Sequence, residues 1–142
     1  MEKQNGVNLH FKIEQNDFDR AGEASSQFKS MLRKLGLDAK LIRRAAIAMY
    51  EAEINLTIHA LGGNIDISIT KDRIKMQIID KGPGIKDLEL AMQEGYSTAS
   101  NAVREMGFGA GMGLPNMKKC SDEFEIESEY GKGTNLTMIF SI

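Results

Sequence analysis

The chain has 142 residues, 42% hydrophobic and 27% charged, and its 18 Lys and Arg against 20 Asp and Glu leave a net charge of −2. That length suits one domain over residues 1–142, and the evenly mixed charge presents no basic face for nucleic acid. No apolar run nears the ~18 residues of a membrane span, the N-terminus lacks the apolar core of a secretory signal, and the single Cys120 cannot form an internal disulfide. A cytoplasmic protein with no membrane partner is expected.

In chain order, Val7, Leu9, Phe11 and Ile13 alternate with polar residues and predict a half-buried strand. Asn16 and Asp17 offer an N-cap to a helix carrying Phe18, Ala21, Phe28, Met31, Leu32 and Leu35, which Gly36 ends. Asp38 is placed to cap a second helix that runs to Gly62-Gly63. Ile65, Ile67 and Ile69, then Ile74, Met76 and Ile78, alternate on either side of Lys71-Asp72 and predict a hairpin.

From Gly82 to Gly113 the periodicity fails, and this stretch holds half of the 14 glycines. Leu114–Cys120 predicts a short helix. Phe124–Ser128 and the alternating Leu136, Met138, Phe140 and Ile142 predict two closing strands, joined through Tyr130-Gly131-Lys132-Gly133. The expected class is α+β: a mixed, mostly antiparallel sheet of about five strands with about three helices on one face.

Four features carry candidate chemistry. Glu51 and Asn55 lie four apart on one face of the second helix, among Ala48, Ala52, Ile54, Leu56 and Ile58. Burying a carboxylate and an amide there needs a reason, either a magnesium site with the amide oxygen as ligand and the carboxylate as base or as a partner behind the ligands, or a solvent edge beside Glu53. Asp80-Lys81-Gly82-Pro83-Gly84 follows a strand and puts a carboxylate at the mouth of the sheet. It can accept from an adenine amino group, or simply mark a tight turn.

Gly107, Gly109, Gly111 and Gly113 alternate into a helix start, a cradle of N–H groups suited to phosphate rather than a Rossmann or Walker A loop. Gly95 to Met106 would then form a lid over the nucleotide. Gly131-Lys132-Gly133-Thr134 opens the last strand, either as a hairpin turn or with the Thr134 hydroxyl beside Asp80 to complete an adenine pocket. His59 reads as packed against its helix, His10 as a strand residue, Cys120 as helix packing and Arg43-Arg44 as solvated surface.

Taken in order, Glu51-xxx-Asn55, Asp80-x-Gly82-x-Gly84, Gly109-x-Gly111-x-Gly113 and Gly133-Thr134 resemble the N, G1 and G2 boxes and terminal Gly-Thr element of the GHKL (Bergerat-fold) ATPases. Residues 80–100, 122–134 and the stretch EAEINLTIHA from Glu51 to Ala60 resemble the RsbT-type switch kinases and the anti-sigma-factor kinases of the SpoIIAB and RsbW type. The resemblance implies a Bergerat-type α/β sandwich with a Gly-rich ATP lid.

It also implies roles. Glu51 would polarise the acceptor hydroxyl or a water, and Asn55 would hold Mg²⁺ against the triphosphate. Asp80, assisted by Thr134, would read adenine, Gly82 and Gly84 would shape that pocket, and Gly109, Gly111 and Gly113 would cradle the phosphates. The segment SNAVREMGF, residues 100–108, is longer than the lid of RsbT, and its Arg104 either contacts phosphate or is solvated.

The activity implied is ATP-dependent phosphorylation of a serine or threonine on a small STAS-domain partner. The alternative is an ATP-gated anti-sigma or adaptor module that binds a partner such as a sigma factor with little or no transfer. A detached catalytic half of a histidine kinase would need a dimerisation helix pair upstream of the first strand. The sequence does not fix the oligomeric state, and a homodimer is compatible with it.

Overall fold

A computed structural model describes residues 6–14, 18–58, 62–80, 113–129 and 133–142. The described strands form one five-stranded sheet in the order β1-β2-β3-β5-β4: β1 Val7–Ile13, β2 Gly63–Ile69, β3 Arg73–Asp80, β4 Glu123–Glu129 and β5 Gly133–Ser141. The described helices are α1 Glu23–Lys34, α2 Ala39–Ile58 and α3 Gly113–Cys120, with a 3₁₀ turn at Phe18–Arg20. The expected α+β class holds. The sheet is simpler than expected, since all four strand pairings are antiparallel rather than mixed.

Strict alternation in the sequence explains the sheet. Ile65, Ile67 and Ile69 on β2 are buried with Ile74, Met76 and Ile78 on β3 and Leu136, Met138 and Phe140 on β5. The intervening residues Asp66, Lys75 and Asn135 face solvent on the other side. Phe28 and Leu32 of α1, Ala45, Ala48, Met49 and Ala52 of α2, and Met117 of α3 complete one core with them. Ile142 departs from the alternation: it lies past the end of β5 and is 46% exposed.

The helix ends show where local signals suffice. Asp38 caps α2 as expected, its Oδ2 accepting from the Lys40 N–H at 3.0 Å and the Leu41 N–H at 3.4 Å. Gly36 ends α1 at φ 72, a left-handed conformation that costs a side-chain-bearing residue stability. α1 starts later than the sequence predicts. Asn16 and Asp17 fall outside the described residues, and the helix begins only at Glu23, after Gly22 at φ 95.

Its cap comes from α2 instead. Glu53, 2% exposed, accepts from the N–H groups of Gly22 (3.1 Å), Ala24 (3.2 Å) and Ser25 (3.1 Å). Glu53 is therefore interior, while Glu51 and Asn55 are half-buried. A carboxylate at a helix N-terminus satisfies orphan donors and meets the positive end of the dipole. Arg44 also departs from the surface reading: its guanidinium donates to the Cys120 carbonyl at 3.0 Å and to Asp122 at 3.4 Å, tying α2 to the end of α3.

Candidate active site

Two groups of side chains gather at the end of the sheet where α2 passes the start of β2. The first is on α2. Glu51 and Asn55, one helical turn apart, are both half-buried, while Ala48 and Ala52 beside them are buried in the core. The face they share is met by the first turn of α3. A Cβ added at Gly113 would stand 3.0 Å from Asn55 Oδ1, 3.3 Å from its Nδ2 and 3.4 Å from Glu51 Oε2. Glycine there leaves backbone, and nothing larger, against the amide and the carboxylate. Pro115 is tolerated in the same turn because its missing N–H would lack a helical partner anyway.

Burial pushes the Glu51 carboxyl above its ordinary range, and a hydrogen bond from the Asn116 side chain pulls it partly back. Burial also raises the neighbouring Tyr50 phenol, with the negative charges of Glu51 and Glu53 adding to it. A half-buried carboxylate with a raised pKa beside an amide oxygen is the kind of pair that accepts a proton and holds a cation.

The second group is where β3 and β4 end and β5 begins. Asp80, the last residue of β3, accepts from the Thr134 backbone N–H at 3.2 Å. The expected partnership of Asp80 and Thr134 exists, but the main chain makes it. The Thr134 hydroxyl points instead at Ser128 Oγ, 3.0 Å away, and Ser128 Oγ also donates to the Gly133 carbonyl at 3.3 Å. Ser128 escaped the sequence reading because its relevance depends on register: it is the residue opposite Thr134 on β4.

Gly63 escaped as well, having been read only as a helix stop. It pairs with Asp80, and a Cβ on it would meet the Ile79 carbonyl oxygen at 2.5 Å, Leu56 Cδ2 at 2.9 Å and Asp80 Cα at 3.2 Å. Leu56 follows Asn55 directly, so α2 and the Asp80 strand end are pressed together at this glycine and the two groups share one end of the molecule. Gly82, Gly84, Gly109, Gly111, the lid from Gly95 to Met106, Arg104 and His59 lie outside the described residues.

The remaining bland readings hold where they can be seen. His10 is a strand residue whose Nδ1 bonds Asp66 on the exposed sheet face. Cys120 is half-buried against the core, and burial raises its thiol, which suits a packing role.

Comparison with known proteins bears on the family and the fold. A family model described as a histidine kinase-like ATPase domain matches residues 15–140. The serine/threonine-protein kinase RsbT of Bacillus subtilis is 34% identical over 115 residues, which are 78% of this chain and 80% of RsbT. The anti-sigma F factor of Clostridium acetobutylicum is 32% identical over 144 aligned positions, 95% of this chain and 92% of that protein. The anti-sigma F factor of Caldanaerobacter subterraneus is 40% identical over 96 residues, 64% of each.

A solved structure of the RsbU and RsbW domains of a Mycobacterium tuberculosis protein superposes with a TM-score of 0.62 over 94% of this chain and 31% of that one, at 14% identity, and so supports the fold. The α+β sandwich is that of a histidine kinase-like ATPase domain. Within that class the chain belongs to the family of RsbT and the anti-sigma F factors.

Proposed function

We propose that this chain, a serine/threonine protein kinase by family, transfers the γ-phosphoryl group of ATP to a hydroxyl on a small STAS-domain protein, as a single cytoplasmic domain over residues 1–142. The observation that carries the reading is the convergence of Glu51, Asn55 and Gly113 at one point, with space reserved there by the absent Cβ. The described helices contain none long and apolar enough to cross a membrane.

The parts divide the work. Asp80, with Thr134 and Ser128 around it, is suited to receive the adenine amino group. Gly113 opens α3, and a helix start with free N–H groups and no acidic side chain in its first turn favours a phosphate. Gly82, Gly84, Gly109 and Gly111 would extend the adenine and phosphate walls on either side. A magnesium ion suits the Asn55 amide oxygen, since Mg²⁺ takes few protein ligands and completes its shell with phosphate and water. When bound it supplies charge neutralisation at the phosphates.

Glu51, within reach of the same point, would take the acceptor hydroxyl's proton. Its raised pKa makes it a stronger base than an exposed carboxylate. Positioning and electrostatics carry the rest of the barrier, as phosphoryl transfer generally requires.

The second reading keeps the nucleotide site but makes ATP occupancy a switch for binding a partner such as a sigma factor. It has a specific basis, because relatives at 32% and 40% identity are named anti-sigma F factors. Incubation with Mg-ATP labelled at the γ-phosphate and STAS-domain proteins, each with a version lacking its hydroxyl acceptor, separates the two. Label on the intact acceptor alone supports the kinase. Nucleotide-dependent complex formation without label supports the switch.

A further inference from the structure

The core-facing rows of three neighbouring strands turn polar at the same level. Ile78 of β3, Leu136 of β5 and Ile126 of β4 pack in the core or against it. Two residues along each strand towards the site, and so on the same face, come Asp80, Thr134 and Ser128. Register matches them: Ile126 pairs with Leu136 and Ser128 with Thr134, while Gly63 of β2, which has no side chain, pairs with Asp80. Where the apolar rows would continue, the sheet offers a carboxylate and two hydroxyls, all three residues half-buried.

The hydrogen bonds at this level run in one direction. Ser128 Oγ donates to the Gly133 carbonyl at 3.3 Å, and Asp80 Oδ1 accepts from the Thr134 N–H at 3.2 Å. That carbonyl and that N–H are the two ends of one planar peptide unit, so Ser128 and Asp80 hold the same plane from opposite sides. A serine hydroxyl carries a single hydrogen. With it on the Gly133 carbonyl, the 3.0 Å contact between Ser128 Oγ and Thr134 Oγ1 takes its hydrogen from Thr134. The Thr134 oxygen then has lone pairs alone to offer a ligand, as a carboxylate does.

Resting on the reading of Asp80 as the acceptor for adenine, we propose that Ser128 is a positioning residue that sets the choice of base. Its hydroxyl makes Asp80 and Thr134 a pair of acceptors, matched to the amino group of adenine and unmatched to the carbonyl that hypoxanthine or guanine carries at that place. Ser128 touches no nucleotide in this scheme. Without it, the Thr134 hydroxyl can turn and donate to such a carbonyl, and the Gly133–Thr134 peptide loses one of its two holds. A carboxylate has about four acceptor positions, so the bond from Thr134 is compatible with another from a base. A site that hydrogen-bonds a substrate group rejects the analogue lacking it, and the rejection weakens once the site can change its own donors.

The test is calorimetric titration of Mg-ATP and Mg-ITP into wild type, Ser128→Ala, Ser128→Cys, Ser128→Thr and Asp80→Asn, with thermal unfolding to show that each is folded. ITP keeps the sugar and triphosphate of ATP and carries a carbonyl in place of the amino group. Wild type is expected to prefer ATP by about tenfold or more. Ser128→Ala and Ser128→Cys lose the hydroxyl with different shapes. Both should bind ATP about 3- to 10-fold more weakly while their ITP affinity holds or rises, so the preference narrows by at least about threefold. Ser128→Thr keeps a hydroxyl and should keep the preference.

An unchanged preference for ATP in the folded variants without the hydroxyl overturns the proposal. So does an equal loss of ATP and ITP affinity, the mark of strand ends loosened without any effect on base choice. A folded Ser128→Thr with the narrowed preference of Ser128→Ala overturns it too. Equal binding of ATP and ITP by the wild type, or unchanged ATP affinity in Asp80→Asn, removes the reading of Asp80 and the proposal with it. Loss of ATP affinity in Asp80→Asn beside full preference in the Ser128 variants removes the proposal alone.

Discussion

Glu51 and Glu53 stand two apart on one helix and do opposite things. Glu53 is wholly committed to structure, its two oxygens shared among three N–H groups at the start of α1. Glu53→Ala strands those donors and empties a buried site, and a loss of about 2–4 kcal/mol in urea unfolding is expected. Glu51 is placed against the trend of stability. Burial raises its pKa, so the folded state prefers the protonated form and ionising it weakens the fold.

The sign is then fixed: the penalty is present above the raised folded pKa and is relieved as pH falls through it. Glu51→Gln should therefore be more stable than wild type at pH 7 while transferring no phosphoryl group. Its advantage should shrink as the pH is lowered into the acid range, as followed by unfolding at several pH values. Gains in stability with loss of activity are the usual mark of a residue kept for chemistry. The sequence singled out Glu51 because a carboxylate and an amide one turn apart on an apolar helix demand explanation. It could not single out Glu53, whose partners lie about thirty residues away, and local pattern offers no sign of a cap supplied from another helix.

Elements follow the sequence closely where their signals are local, and depart where packing decides. Alternation placed β1, β2, β3 and β5, and Asp38 and Gly36 marked two helix ends correctly, because pleat and capping depend on neighbours a few residues apart. The start of α1 was misread because its cap is tertiary, and the hydroxyl pair of Thr134 and Ser128 was hidden because strand register is. Gly63 belongs to the second kind. It reads as a helix stop, yet its backbone is pressed between the Ile79 carbonyl and Leu56.

Gly63→Ala should cost about 1–3 kcal/mol, since a Cβ at 2.5 Å from a backbone oxygen forces the strand pair or α2 to shift. Because α2 carries Asn55 next to Leu56, the same change should weaken ATP binding as well, measurable by calorimetry under conditions where the variant is folded. Gly113→Ala is expected to behave differently. A Cβ 3.0 Å from Asn55 Oδ1 crowds the candidate phosphate end alone, so affinity for Mg-ATP should fall by at least about tenfold with the melting temperature nearly unchanged.

At the scale of the whole molecule, the antiparallel sheet is a platform on one of whose faces the three described helices rest, and the candidate site occupies the end where α2 crosses the start of β2. Leu56 and Gly63 join the Asp80 group to the Asn55 group, so a ligand touching both ends would bridge strand and helix. That is the arrangement expected of a nucleotide laid across the sheet's end, with its base at β3 and its phosphates at α3. Family membership makes ATP the nucleotide, and the two ends should fail in different ways when altered.

The most direct test of this layout is calorimetric titration of ATP, with and without Mg²⁺, into wild type, Asp80→Asn and Asn55→Ala. Asp80→Asn should lose affinity by about tenfold or more whether or not Mg²⁺ is present, because it removes a recognition bond to the base. Asn55→Ala should match wild type without Mg²⁺ and lose affinity only with it. Unchanged ATP affinity in Asp80→Asn, or a loss in Asn55→Ala that ignores Mg²⁺, would contradict the placement of the adenine and metal ends of the site.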